Sequence, residues 1–488
     1  MALYIHNSLT RQKEEFVPLY EGQVGIYVCG PTIYDDSHLG HAKSYASFDV
    51  VVRYLRYLGY QVRYVQNLTD VGHLLDTGED RILKGARRDK LEPMEVVERY
   101  ARSYFEDMDA LRVLRPDISP RASGHVPEQI ELVKVLLEKG HAYEAGGSVY
   151  FSVETFPEYG NLSGRKVDEL LENVRIEENP DKRHPADFAL WRRAEPEHIL
   201  RWPSPWGRGF PGWHAECSAM GMRYLGETLD IHGGGLDNIF PHHESEIAQS
   251  EAATGKPFVR YWMHNNMVTV DGARMGKSLG NHITIKQVFS GDSLRLSRGY
   301  SPMAVRFFVL SSHYRSRLDF SDEGLGAAER GVARLHDAVR RVRERLVTAE
   351  EGPADAVVEG ELAAHKARFL KAMDDDFNTP VAVSVLFDVT HESNSRTEGG
   401  DTNRGTLLAY DAFYRELGDT VLGLIPDDLP GLDQTGLTED LMRLLIDLRA
   451  EFRAQKEWSR ADDIRGRLAQ FGVTLEDGPE GTRWRLER

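Results

Sequence analysis

The chain has 488 residues, 41% of them hydrophobic and 28% charged, with a formal net charge of −17. Such a length implies two to four domains with several cores, and the composition is that of an ordinary globular protein. No apolar run approaches the ~20 residues of a membrane helix, no basic-then-apolar leader is recognised, and two cysteines are too few for a disulfide framework, so a cytoplasmic protein without a membrane anchor is expected.

In chain order, an apolar strand is predicted from Val24 to Cys29, then a helix opening near His38 and closed by Gly59, then a strand from Gln61 to Asn67. This order reads as a right-handed parallel crossover. Helical patterns occupy residues 93–140 and an extended pair residues 142–153. Residues 161–208, broken by Asn179-Pro180, His184-Pro185, Trp202-Pro203 and Ser204-Pro205 among others, read as a loop-rich insertion. The α/β pattern returns where Thr228–His232 runs into Gly233-Gly234-Gly235, with a helix starting near Pro241 and a strand over residues 267–270. From Ser321 to Leu424 the pattern is amphipathic helix, with polar loops near 350–355 and 394–405. A linker over 425–431 precedes two helices and a hairpin of residues 473–476 with 482–486.

The acidic balance argues weakly against a nucleic-acid partner, because phosphate binding depends on local patches. Arg330, Arg334, Arg340, Arg341, Arg343 and Arg345 crowd one predicted helix. By charge alone they read as a solvated face.

Both cysteines lie among chemically active residues. Cys29 closes the first strand and precedes Pro31-Thr32 and His38-Leu39-Gly40-His41. Cys217 ends Gly212-Trp213-His214-Ala215-Glu216-Cys217, and Pro241-His242-His243-Glu244-Ser245-Glu246 follows. Thiolates, an imidazole and a carboxylate make a tetrahedral zinc site. Cys29, Cys217, His242 and Glu246 form such a set, His242 and Glu246 projecting from one helical face. His243, Glu244 and His214 remain alternatives on spacing. His38 and His41 open a helix directly after a strand, where free N–H groups and the helix dipole favour an anion. Arg274-Met275-Gly276-Lys277-Ser278 reads as a loop whose Lys277 could close over a triphosphate. Gly234, between His232 and Asp237, offers bare backbone to an adenosine.

Together these strings resemble the class I aminoacyl-tRNA synthetases, and within them the cysteine-specific family. His38–His41 corresponds to the HIGH motif and Arg274–Ser278 to the KMSKS motif. The strings around Trp213, Asp230-Ile231-His232 and Phe240-Pro241-His242 are similar to those of the cysteine enzymes, and the likeness runs from Asn7 to Pro479. The resemblance implies an α/β Rossmann-type catalytic domain with an insertion, a helical bundle and a small mixed α/β C-terminal domain. The expected layout is a first catalytic half over 1–119, an insertion over 120–224, a second half over 225–265, a loop and tRNA stem-contact region over 266–325, a bundle over 326–425 and an anticodon-binding domain over 426–488.

It further implies one zinc per chain on Cys29, Cys217, His242 and Glu246, and a reaction of cysteine with ATP, Mg²⁺ and cysteine tRNA in a monomer. His38, His41 and Lys277 would serve catalysis. Gly30, Thr32, Thr69, Trp213, His232, Gly234 and Asp237 would contact cysteine or ATP, and Arg453, Trp458, Asp462 and Asp477 the anticodon. Three departures stand out: Gly276 within the second motif, an altered segment over 71–84, and a longer stretch over 290–301. A ligase joining cysteine to an amino sugar would share the catalytic half but need no anticodon-reading end.

Overall fold

The computed structural model describes residues 2–74, 79–164, 179–196, 198–276, 279–398, 402–427, 429, 434–471, 473–478 and 481–486. Lys277, Ser278 and part of the 71–84 segment therefore lie outside the described residues. The chain divides into two compact units, Met1–Ile425 and Pro426–Arg488.

The first unit is built on a parallel sheet. A hairpin, β1 (Tyr4–Asn7) and β2 (Gln12–Glu15), precedes β3 (Gln23–Val28), α1 (Leu39–Tyr57) and β4 (Gln61–Gln66). β3 and β4 pair in parallel, giving the expected crossover. Helix α1 ends as its sequence dictates, with Gly59 at φ 92° after the Leu58 cap. Next come α2 (Arg81–Asp89), α3 (Pro93–Ala110) and α4 (Val126–Glu138).

The insertion carries more structure than its breakers suggest. β5 (Ala142–Ala145), β6 (Ser148–Phe151), β7 (Phe188–Arg193), β8 (Trp202–Ser204) and β9 (Gly207–Pro211) form an antiparallel sheet in the order β5-β6-β7-β9-β8. The loop-rich reading of 161–208 is thus corrected for β7 to β9. Phe188-Ala189-Leu190-Trp191 is buried throughout, so it lacks the alternation that marks a half-buried strand. Pro203 is tolerated because β8 is an edge strand.

Helix α5 (Trp213–Leu225) returns to the parallel sheet, packing on β3, β4 and β10 (Leu229–Gly235). After α6 (Glu244–Thr254), β11 (Val259–Asn265) completes a four-stranded sheet of order β11-β10-β3-β4. β12 (Val268–Val270) and β13 (Ala273–Arg274) form a hairpin, followed by α7 (Ile285–Ser290), α8 (Pro302–Leu310) and β14 (Leu318–Phe320), which pairs in parallel with β12.

The bundle consists of α9 (Asp322–Thr348), α10 (Ala356–Asp374), α11 (Thr379–Glu398) and α12 (Arg404–Phe413), extended by a π-turn to Val421. Helix α11 runs on to Glu398, into the loop expected from Asn394, because Ser393 and Thr397 are buried and bond within the helix. Part of the arginine-rich face on α9 is spent internally, Arg343 pairing with Asp411 and Arg340 with Asp337.

In the second unit, α13 (Gln434–Ala454) and α14 (Trp458–Gln470) precede the hairpin β15 (Val473–Gly478) and β16 (Gly481–Leu486). Met442, Leu468, Val473 and Leu475 form its core, with Ile464 and Trp484 against them. No described helix is long and apolar enough to cross a membrane.

Candidate active site

Strand β3 leads across to β4 on one side, while its other neighbour, β10, leads on to β11. The crevice beyond the C-terminal ends of β3 and β10 is therefore the topological switch point, where open parallel sheets bind ligands. Cys29 leaves β3 at that point, and its amide donates to the Gly233 carbonyl of β10 (2.9 Å).

The structure brings Cys29, Cys217, His242 and Glu246 together, their ligand atoms all within 4.8 Å of one another. The two sulfurs are 3.8 Å apart and both thiols are free. His242 Nε2 lies 3.1 Å from Glu246 Oε1. Three elements deliver these groups: the end of β3, the first turns of α5, and the start of α6. A second set of equal compactness, Cys29, His232, His243 and Glu246, shares two members with the first. His243 Nε2 is 3.2 Å from Cys29 Sγ, and His232 Nε2 is 2.9 Å from Glu246 Oε2. Behind them His243 Nδ1 meets His264 Nε2 at 2.8 Å, and His264 Nδ1 meets Ser8 Oγ at 2.8 Å.

This donor set fits a cation. Glu246 is fully buried, and its described neighbours are imidazoles and a thiol, with no lysine or arginine among them. A carboxylate and two ionised thiols in one buried place are stable only around positive charge. Burial pushes the Cys29 thiol up to about 11 and that of Cys217 well above its ordinary value.

Trp213, first residue of α5, stacks on His73 (centroids 4.0 Å, 7° apart) and on His242 (4.3 Å, 21°). It thereby walls one side of the ligand set. His73 Nδ1 is in turn 2.6 Å from Thr32 Oγ1. Thr69 donates to Glu216 Oε1 at 2.5 Å and accepts from Asn67 Nδ2 at 3.1 Å, while Asn67 Oδ1 takes the Gly30 amide at 2.8 Å. His73, Asn67 and His264 carried no local motif in the sequence, and Glu216, though inside the string around Trp213, was given no role there. They are found only because the fold lays residues 67–73 and 264 against the crevice. His232 sits beneath Glu246 rather than at the surface, and Asp237 is exposed on the turn after β10.

His38 caps α1, its Nδ1 accepting from the Gly40 amide (3.0 Å), while its own amide donates to His41 Nδ1 (3.2 Å). The two rings stack at 3.9 Å. A Cβ on Gly40 would come within 2.8 Å of the His38 ring, so only glycine lets that ring fold over the first turn. Likewise a Cβ on Gly234 would meet Asn238 Nδ2 at 2.7 Å and the His243 ring at 2.9 Å. The chain after β13 returns to the helix, with Leu39 N donating to Ile283 O (3.3 Å) and His282 packing edge-on to His38.

In the second unit Arg453 lies near the end of α13, while Trp458 and Asp462 sit one turn apart on α14, where Trp458 is 55% exposed. Asp477 is in β15, and its side chain lies outside the described residues.

Three domain families match the chain: the tRNA synthetases class I (C) catalytic domain over residues 15–330, the DALR domain over 368–426 and the cysteinyl-tRNA ligase anticodon binding domain over 435–485. Similar proteins named cysteine–tRNA ligase include that of Chlorobaculum tepidum, 50% identical with 99% of each chain covered. That of Deinococcus radiodurans is 50% identical over 99% of this chain and 96% of its own, and that of Thermus thermophilus 49% identical over 100% of both. Among solved structures, Mycobacterium tuberculosis methionyl-tRNA synthetase in complex with methionyl-adenylate shares the fold (TM-score 0.59, 15% identity, 83% of this chain and 92% of that one). A switch-point crevice lined by Cys29, Cys217, His242 and Glu246, behind a helix opening His38–His41, together with this full-length similarity, places the chain in the cysteine–tRNA ligase family of class I aminoacyl-tRNA synthetases.

Proposed function

We propose that this enzyme activates cysteine with ATP and transfers it to the terminal ribose of cysteine tRNA, recognising the cysteine side chain through a zinc ion held by Cys29, Cys217, His242 and Glu246. The convergence of two thiols, an imidazole and a carboxylate at the switch point carries this reading. The set with two sulfurs is preferred because zinc favours thiolate ligands. When bound, the zinc would take the substrate's thiolate as a soft ligand, which a serine hydroxyl does not match.

The residues of the chain supply position and charge. Trp213 and Thr69 confine the amino acid beside the ligand set. The cysteine carboxylate attacks the α-phosphorus of ATP and pyrophosphate leaves. His38, His41 and Lys277 stabilise the phosphates, with Mg²⁺ accompanying the nucleotide. Gly30, Thr32, His232, Gly234 and Asp237 complete the proposed cysteine and ATP contacts. The terminal ribose hydroxyl then attacks the carbonyl and AMP leaves. Arg453, Trp458, Asp462 and Asp477 are the proposed anticodon readers.

Two expected results arise here. His232→Gln, which removes the partner of Glu246 Oε2 but no proposed ligand, lowers zinc affinity roughly 10–100-fold in competition with a chelator. Trp458→Ala removes an exposed stacking platform, so kcat/KM for transfer falls about tenfold while pyrophosphate exchange is unchanged. The deciding experiment is transfer of labelled cysteine to purified cysteine tRNA, with metal content measured on the same preparation. Transfer that depends on one zinc per chain and on the anticodon supports the reading. Adenylate formation without transfer would favour a small acceptor such as an amino sugar.

A further inference from the structure

One turn of the bundle holds an unusual conformation. Between α10 and α11 the chain runs Asp374-Asp375-Asp376-Phe377-Asn378, and Asp376 (φ 61°) and Phe377 (φ 53°) are both left-handed. Neither is glycine, so the surroundings hold each backbone against its own Cβ. Asp376 is fully buried. Its Oδ1 accepts from the His6 amide (2.9 Å) and the Tyr314 hydroxyl (2.7 Å), and its Oδ2 from Arg315 Nε (2.6 Å). The Asp376 amide donates to the Tyr4 carbonyl (3.0 Å), and its carbonyl lies 3.0 Å from His313 Nε2. Beside it, Tyr54 of α1 donates to Asp374 (2.7 Å). A turn of the bundle is thus organised by groups from the catalytic half of the chain.

The segment gripped by Asp376 is held from its other side by the supports of both phosphate-handling motifs. The Ser316 carbonyl accepts from Nζ of Lys43, which is buried on α1 just beyond His41. The carbonyls of Tyr314 and Arg315 accept from the amide and side chain of Asn266, each at 2.9 Å. Asn266 stands just before β12, the first strand of the hairpin whose second strand, β13, ends three residues before Lys277. β14, just beyond Ser316, pairs with β12.

We propose that Asp376 is a positioning residue for adenylate formation: through residues 313–316 it sets the start of α1, with His38 and His41, and the β12–β13 hairpin that precedes Lys277 against the helical bundle. The inference rests on the functional reading above. A displacement of about 1 Å in groups that meet a transition state can cost up to ~100-fold in rate, whereas a simple brace between layers would affect only stability.

The test uses the full-length zinc-loaded enzyme, well below its unfolding temperature. In Asp376→Asn, kcat for cysteine-dependent ATP–pyrophosphate exchange falls about tenfold, with KM for cysteine and bound zinc unchanged. Asp376→Glu, which restores the charge facing Arg315, recovers part of that rate. Asn266→Ala also lowers kcat, and combined with Asp376→Asn it falls no further than the worse single variant, since both act through one segment. Tyr314→Phe, which removes a single hydroxyl from the cluster, carries the same test should Asp376→Asn not fold. An unchanged kcat with only a lower melting temperature, or full additivity with Asn266→Ala, would overturn the proposal. Absence of cysteine-dependent exchange in the unaltered enzyme would instead sink the functional reading, and the proposal with it.

Discussion

Replacing Cys217 by serine removes bound zinc and cysteine-dependent pyrophosphate exchange together, each by more than about 100-fold. The magnitude follows from the site: losing a group that merely supports a ligand already costs ~10–100-fold in metal affinity, and Cys217 is a proposed ligand. A serine oxygen occupies nearly the same place, 3.8 Å across from Cys29 Sγ in the native pair, but it is a hard, neutral donor where zinc takes a soft anion. Metal content and exchange rate are measured on one preparation. Should exchange persist in a zinc-free variant, the ion would not be what holds the substrate.

Replacing Arg306 by alanine destabilises the first unit by about 3–5 kcal/mol, seen as a lower denaturant midpoint for that unit. Arg306 and Asp49 are both fully buried and paired. The guanidinium also donates to the carbonyls of Leu422 (2.9 Å), Leu111 (3.0 Å) and Arg112 (3.2 Å). It thereby joins α8 to α1, to the chain after α3 and to the end of the bundle. Removal leaves the buried Asp49 carboxylate with Arg53 Nε (2.7 Å) and the Leu114 amide (2.8 Å) as its remaining described hydrogen-bond donors. Burial pushes the Asp49 carboxyl up, but the charges of Arg306 and Arg53 and the Leu114 amide outweigh it and hold its pKa below the ordinary value. A lowered folded pKa contributes stability that is present above the unfolded carboxyl value and lost as pH falls through the folded one. The penalty of Arg306→Ala therefore shrinks in acid as Asp49 takes a proton. A penalty independent of pH would show that lost packing, rather than the stranded charge, is responsible.

The elements that carry chemistry were legible where local sequence and burial agree. The strand ending at Cys29, the helix opened by His38 and the stop at Gly59 follow from an apolar run, a polar cap and a glycine, all local signals. The C-terminal helices and hairpin were legible for the same reason. β7 was not: Phe188-Ala189-Leu190-Trp191 is buried on both faces, and its partners β6 and β9 lie across a long insertion. The Arg306–Asp49 pair was equally hidden, because two charged residues 257 positions apart have no periodicity to mark them.

Residue types and their order of arrival are readable from the chain alone: two thiols, an imidazole and a carboxylate four positions apart, a histidine-bearing helix start after a strand, and Lys277 after a hydrophobic strand. Local chemistry suffices for these, since each motif is a short string with its own geometry. Packing settles the rest: which imidazoles crowd the four candidate ligands, that His73 backs Trp213, that Glu216 takes the Thr69 hydroxyl, and that a turn of the bundle grips residues 313–316. Those contacts join strands and turns far apart in the chain, and their positions follow from sheet order and packing, which no local pattern encodes.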